Sequence, residues 1–336
     1  MEIMIEAVGA IRQSDKTSGS LKIQKLAGDA SLRQYFRVFS KDRSYVLMLV
    51  EPFSEAENNF LLIRDLLEQT KVPCPGVCAI DGAAGAILLE DLGDSTMLHE
   101  ISKNGSPDQE EKLFKESIDL LVTFHKNTQV TPAMAAKIPG YGLAFDVEKL
   151  MWEVDFTFEH LFQNYLKRTI DSEQHGKMRA SFVDICERLA REPRVFTHRD
   201  YHSRNIMIPE GGEMHAIDFQ DARMGLRQYD LASILRDSYY QLTEERVYSL
   251  VNYYIQQVEN REGLKLDSAH FIRLFDLMSI QRNFKAIGSF TMFYAKRNDP
   301  MYLRFVGNTF ENIRRNLLKF PEYMELRKAL FQFYYF

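Results

Sequence analysis

The apolar positions follow two different rhythms. In the first ninety residues they come in short runs with a period near two, and they predict strands at 21–27, 33–39, 45–50, 77–80 and 86–90. One helical stretch interrupts them at 55–69, where Phe60, Ile63 and Leu67 share a face until Val72-Pro73-Cys74-Pro75-Gly76 stops the helix. Gly28-Asp29-Ala30-Ser31-Leu32 is a small-residue turn, Asp81-Gly82 is a hairpin turn, and Asp91-Leu92-Gly93-Asp94 is a connector. Beyond it the period changes to 3.6. Leu113, Phe114, Ile118, Leu121, Val122 and His125 mark an amphipathic helix over 110–127, and further helices are predicted at 146–169 and 176–191. Three short apolar runs follow at 195–197, 206–208 and 214–217, the last two separated by the turn Glu210-Gly211-Gly212-Glu213. Helices then fill 228–241, 243–257, 267–296, 301–319 and 322–333. This pattern predicts an α+β protein: a small sheet with one helix in residues 1–91 and a larger, mainly helical part in 92–336.

Composition narrows the class. The chain has 336 residues, 45% hydrophobic and 26% charged, enough for a large core in one or two domains. A net charge of −5 supplies no basic field for nucleic acid. The aromatics Tyr239, Tyr240, Tyr253, Tyr254, Phe290, Phe293 and Tyr294 come without a basic stripe and read as core and site lining. Three cysteines, Cys74, Cys78 and Cys186, make no disulfide framework, and Cys74 with Cys78 lacks the other half of a zinc site. The short apolar run at the start carries Glu2 and Glu6 where a signal peptide is basic, and no run approaches the ~18 apolar residues of a membrane span. The expectation is a soluble cytoplasmic protein with no obligate protein partner.

The chemistry concentrates in Thr197-His198-Arg199-Asp200-Tyr201-His202-Ser203-Arg204-Asn205 and in Ala216-Ile217-Asp218-Phe219-Gln220. The first segment sets an Asp and an Asn five residues apart on a tight loop; the second ends a short strand on an Asp. Asp200, Asn205 and Asp218 are the oxygen donors that phosphoryl transfer needs: one carboxylate to receive the proton of a hydroxyl, and an amide oxygen and a carboxylate to hold Mg²⁺, a hard cation, against phosphates. Two other readings compete. An H-x-D triplet is common by chance, and an Asp that ends a strand is usually a turn former. His198, Asp200 and His202 alternate along an extended segment, as metallohydrolase ligands do, although that leaves Asn205 without a task.

With these residues in hand, the chain resembles the aminoglycoside phosphotransferase family, a branch of the protein-kinase-like fold. The resemblance rests on GDASLRQYFRV (28–38), VPCP (72–75), ILLEDLGD (87–94), THRDYHSRNIM (197–207), AIDFQDARMG (216–225) and YDLASILRDSY (229–239), and it runs almost end to end. Within the family these motifs, together with QRNFKAIGSF (281–290), resemble the cytoplasmic kinases that phosphorylate the anomeric hydroxyl of N-acetylmuramate and N-acetylglucosamine in cell-wall recycling. The resemblance implies a bilobal fold, an N-lobe at 1–91 and a C-lobe at 92–336, with ATP and Mg²⁺ as cofactors and a small-molecule hydroxyl acceptor as the partner. It implies Asp200 as catalytic base and Asn205 and Asp218 as metal ligands. Gly28, Asp29, Ala30 and Ser31 become the phosphate loop, and 88–92, with Glu90, Asp91 and Leu92, the hinge that meets adenine. Glu57 or Glu55 stands where the family has a helix glutamate.

One departure bears on activity. Kinase-like folds place a lysine on the third strand to hold the α/β-phosphates, and here the run is Tyr45-Val46-Leu47-Met48. Either Arg33 or Arg37 on the neighbouring strand supplies the cation, Arg33 being beside the loop, or the chain is a nucleotide-binding pseudokinase. Polar residues placed to meet an acceptor are Arg204, Gln220, Asp221, Arg223, Arg236, Asp237 and Arg282. A polycationic aminoglycoside needs an acidic lining, so this mixture of Arg and Asp suits a neutral or anionic sugar. A choline-type acceptor, which needs an aromatic cage, remains the alternative.

Overall fold

Strand β4 (Arg43–Leu49) is the middle of the N-terminal sheet, and its two neighbours come from opposite directions in sequence. The computed structural model describes residues 1–12, 17–18, 21–26, 33–41, 43–104 and 106–333. Its six-stranded antiparallel sheet also contains β1 (Thr17–Ser18), β2 (Leu21–Lys25), β3 (Gln34–Ser40), β5 (Val77–Asp81) and β6 (Ala86–Glu90), in the order β1-β2-β3-β4-β6-β5. Alternation puts Leu21, Ile23, Phe36, Val38, Leu47 and Leu88 on one buried face, where they pack against Met4, Ala7 and Val8 of helix α1 (Glu2–Arg12). The sequence reading has one helix in this part, α2 (Asn59–Gln69), whose N-cap Asn58 accepts from the Leu61 N–H. Helix α1 is the second; the sequence reading assigned no element to this stretch. The turn at 28–32 lies outside the described residues.

The chain divides into two compact units: 1–95 with 207–220, and 96–206 with 221–336. The reading from sequence placed one boundary after residue 91 and kept 207–220 with the helices. Hydrogen bonds from the Ile208 N–H to the Ser95 carbonyl (2.8 Å) and from the Ala216 N–H to the Pro73 carbonyl (3.2 Å) tie that hairpin to the sheet unit. Phe219 stacks on Phe60 of α2 at 5.2 Å between ring centroids.

The second unit contains α3 (Met97–Asn104), α4 (Pro107–Asn127), α5 (Pro132–Ala135), α6 (Val147–Thr157), α7 (Ser172–Ala190), α8 (Gln228–Leu235), α9 (Glu244–Glu262), α10 (Ser268–Arg297), α11 (Val306–Leu317) and α12 (Met324–Phe331). Helix α10 is its axis, packed against α6, α7, α8, α9 and α11. It lies so close to α6 that a Cβ on Gly288 would stand 2.4 Å from the Thr157 hydroxyl oxygen, so only glycine fits there. The predicted helix 146–169 is α-helical only to Thr157 and continues as a π-helical segment, Phe158–Tyr165. The predicted helix 228–241 ends at Leu235. The short strands are β7 (Val195–Thr197), β8 (Ile206–Met207), β9 (His215–Ala216) and β10 (Arg223–Gly225); β8 pairs with β9, and β10 with β7. Among the described residues no helix is long and apolar enough to cross a membrane.

Candidate active site

Residues 198–204 leave β7 as a loop whose shape is imposed from below. Arg199 has φ +80°, a left-handed conformation that a side chain of this size rarely adopts. The buried carboxylate of Asp230, near the start of α8, holds it there. One oxygen accepts from the His198 N–H at 2.7 Å and the other from the Arg199 N–H at 2.9 Å. The first of these oxygens also meets His125 Nε2 at 3.1 Å, and His125 Nδ1 meets the Tyr254 hydroxyl at 2.9 Å. Burial, opposed by Asp230, lowers the pKa of His125, so the ring is neutral and acts as a spacer. Further along, Asp237 accepts from the Ser203 N–H at 3.0 Å and from its hydroxyl. Burial raises the Asp237 pKa against these bonds.

This scaffold presents Asp200 with a quarter of its side chain exposed. Its Oδ1 is 3.3 Å from Lys285 Nζ on α10, and its Oδ2 is 4.0 Å from Arg199 Nε. Burial pushes its pKa up; Lys285 and Arg199 outweigh that and hold the carboxyl well below the usual range. Asp200 is therefore ionised at any working pH. Lys285 was missed in the sequence, though it lies one turn from Arg282 on the same predicted helix. Lys285→Met is expected to lower turnover by about 10- to 100-fold, as misplacement of a reacting group does, with Lys285→Arg keeping most of it. Steady-state rates at saturating substrates check this.

Asn205 donates through Nδ2 to the Asp200 carbonyl at 2.9 Å, which leaves its amide oxygen as the acceptor end. In the sheet unit Asp218 also sits at a left-handed φ, +65°, with half of its carboxylate exposed. Gln220 Nε2 donates to its Oδ1 at 2.8 Å, and Arg33 reaches the same oxygen at 3.7 Å. These are hard oxygen donors of the kind Mg²⁺ takes, so the residue types fit the ion that the family implies. Among the described residues no three His, Cys, Asp or Glu side chains gather as a metal centre, so His198 and His202 find no third ligand. Burial and Arg282 push His202 down to about 3, and it stays neutral.

The strand position without a lysine is filled by an apolar contact: Met48 is 1% exposed, opposite Tyr35 and Ile87. Arg37 is occupied elsewhere. It reaches Asp91 and Asp94, each at 2.7 Å, and donates to the Gly93 carbonyl at 3.0 Å, which fixes the segment after β6. Burial raises the Asp91 pKa, and its bonds to Arg37, Ser44 and Gly93 bring it below the usual range. Glu90 accepts from the Gly76 N–H at 3.0 Å, and Leu92 is buried. Of the two arginines, Arg33 is the one beside Asp218. Gly28, Asp29, Ala30 and Ser31 lie outside the described residues. Glu55 and Glu57 are exposed in a 3₁₀ turn and make no ion pair among the described residues.

The acceptor set divides. Arg204 stacks over Tyr239 (5.0 Å) and Tyr302 (5.7 Å), Asp221 is 3.2 Å from Arg199, and Arg223 lies over the Phe145 ring at 5.3 Å. Gln220 is turned onto Asp218 and buried. Arg236 is turned inward: α8 stops at Leu235, and its guanidinium binds Glu244 through two nitrogens. Arg282 is buried as well and donates to the Ser233 hydroxyl. Arg236 is a correction to the expectation that it faces an acceptor, since residue pattern alone did not reveal where α8 ends; Arg282, on α10, stays within charge reach of Asp200.

In fold the chain is similar to an ethanolamine kinase from Plasmodium vivax (TM-score 0.61, 18% identity, 87% of this chain and 82% of that one). It is also similar to an ADP-bound aminoglycoside phosphotransferase (TM-score 0.59, 13% identity, 93% of this chain and 97% of that one). These are α+β, protein-kinase-like neighbours, and the fold is of that class. Residues 22–266 match the phosphotransferase enzyme family, and the chain belongs to that family. It is a kinase that phosphorylates a hydroxyl. Among its relatives is an N-acetylmuramate/N-acetylglucosamine kinase from Pseudomonas aeruginosa, 33% identical over 310 residues, which are 90% of this chain and 86% of the relative.

Proposed function

We propose that the protein transfers the terminal phosphoryl group of ATP to the anomeric hydroxyl of N-acetylmuramate or N-acetylglucosamine, in the cytoplasm, as a step of cell-wall recycling. The observation that carries this reading is the Asp200 carboxylate, 3.3 Å from Lys285 on a braced loop, in a chain that is 33% identical to a kinase of that name. Asp200 accepts a hydrogen bond from the acceptor hydroxyl, aligns its oxygen with the phosphorus and takes the proton as the new bond forms. Lys285 makes Asp200 a weak base. That suits a loose transition state, in which proton loss comes late, and an anomeric hydroxyl, which is more acidic than an ordinary alcohol. Asn205 and Asp218 would hold Mg²⁺, which neutralises charge on the phosphates. Gly28 to Ser31 line the phosphates, the backbone of 88–92 meets adenine, and Arg33 replaces the strand lysine.

Arg33→Met is expected to weaken nucleotide binding about tenfold, a unit charge at effective dielectric ~20 discounted for its exposure. Calorimetric titration with ATP and Mg²⁺ checks it, and an unchanged affinity would return the search for the phosphate cation to its start. The function itself is tested by ADP release from ATP and Mg²⁺ with N-acetylmuramate, N-acetylglucosamine, choline, ethanolamine and an aminoglycoside. The two N-acetyl sugars should lead. Choline or the aminoglycoside in front would replace this reading, and no release with any acceptor would leave a pseudokinase.

A further inference from the structure

The helical unit gathers more cations around Arg199 and Lys285 than the transfer step uses. Lys149 comes from the first turn of α6, Arg199 from the loop, Arg223 from β10 and Lys285 from α10. The carboxylates among them are Asp200, Asp221 and Glu153. Lys285 takes Asp200 at 3.3 Å and Arg199 takes Asp221 at 3.2 Å. Glu153 is fully buried; its Oε2 accepts from Gln281 at 3.2 Å, and its Oε1 stands 3.9 Å from Lys149 Nζ, beyond hydrogen-bond reach. Arg223 is left over. Among the described residues no carboxylate lies within ion-pair distance of it, and its guanidinium donates a long hydrogen bond, 3.5 Å, from Nε to the Asp221 carbonyl.

The surplus charge is felt. Burial, opposed by Glu153, and the charges of Arg199, Arg223 and Lys285 press Lys149 down to about 8. Burial and Arg199 likewise lower the Arg223 pKa. An under-neutralised, half-buried pair of this kind is costly unless an anion completes it. The backbone holds it beside the start of the loop that carries Asp200. Arg223 is paired across the strands with Thr197, three residues before Asp200, and the Phe145 N–H donates to the Met224 carbonyl at 2.8 Å, which fixes the entry to α6. The Lys149 ammonium lies 3.8 Å from the centroid of Trp152, whose side chain is 55% exposed.

We propose that Lys149 and Arg223 form an anion subsite for the acceptor, which takes a carboxylate carried by the sugar, with Trp152 as its wall. This rests on the amino-sugar kinase reading. The planar guanidinium forks onto a carboxylate and the ammonium adds a point charge. N-acetylmuramate carries such a group in its lactyl ether and N-acetylglucosamine does not, so the subsite separates the two.

Trp152 is the single tryptophan of the chain, so its fluorescence reports this subsite directly. Wild type, Arg223→Met, Lys149→Met and Arg223→Lys are titrated with each sugar, and kcat/KM is measured for both; melting curves confirm folding. N-acetylmuramate should change the wild-type emission saturably. Its kcat/KM relative to N-acetylglucosamine should fall about 10- to 100-fold in Arg223→Met and in Lys149→Met, the range of a charge-assisted contact, and recover in part in Arg223→Lys. An unchanged ratio in both folded methionine variants overturns the subsite. An equal loss for both sugars overturns it too, and assigns the cations to the transferring phosphoryl group. If neither sugar is phosphorylated, the kinase reading falls and the titration still decides: saturable binding of N-acetylmuramate that Arg223→Met abolishes supports the subsite, and no saturable change ends it.

Discussion

Asp200→Asn is expected to lower turnover by about 10²- to 10⁴-fold, the range that general-base assistance supplies, while nucleotide affinity stays within about twofold of wild type. The substitution keeps shape and one acceptor oxygen but removes the charge. Lys285, 3.3 Å away, then loses its partner and competes for the remaining oxygen. The acceptor hydroxyl loses both its aligning acceptor and the destination of its proton. The loop keeps its form, because its path is set by Asp230 through the backbone of His198 and Arg199. Stopped assays of ADP formation, with nucleotide binding measured separately, distinguish a chemical loss from a binding loss. Turnover within threefold of wild type would remove Asp200 from the mechanism.

The second large effect belongs to a residue that touches no substrate. Asp230→Ala removes the acceptor of two loop N–H groups, at 2.7 and 2.9 Å, and strands a neutral His125. Each unsatisfied buried N–H costs about 1–3 kcal/mol, so the change costs roughly 2–6 kcal/mol in all. In a unit of this size that is a fall in Tm of roughly 5–15 °C. Turnover should fall by about 10²-fold as well, since the backbone of Arg199 at φ +80° loses the acceptor that holds it and Asp200 moves with it. Asp230→Asn, which keeps one acceptor oxygen, should fall between the two. Thermal melts and steady-state rates on the same preparations check both halves. A wild-type Tm with wild-type turnover in Asp230→Ala would show that the loop shapes itself.

Much of this architecture was legible in the sequence because the signals were local. Period-two runs, a proline–glycine stop after Gln69 and the hairpin turn at Asp81-Gly82 report on nearest neighbours, and the strands at 77–81 and 86–90 fell within a residue of the reading. The loop 198–205 and Asp218 stood out for another reason: their donor types and spacing are those that the proposed chemistry requires. What stayed hidden depends on contacts distant in sequence. Helix α8 stops at Leu235 although its apolar period continues, and this turns Arg236 onto Glu244. Lys285 meets Asp200 across 85 residues, and Asp230 meets the loop across 31 and 32. The hairpin 207–220 joins the sheet unit through backbone bonds to Pro73 and Ser95 that no residue pattern announces. Gly288, likewise, is the point where α10 meets Thr157 of α6, a contact no local pattern reports.

The most direct test is to identify the product. Protein, ATP and Mg²⁺ are incubated with N-acetylglucosamine and with N-acetylmuramate, and the mixtures are followed by phosphorus NMR with coupling to the sugar protons. A new phosphate resonance coupled to the anomeric proton, formed with ADP in equal amounts and absent with Asp200→Asn, is the expected result. Phosphate attached at any other sugar carbon, or ATP consumed with no phosphorylated sugar, would contradict it.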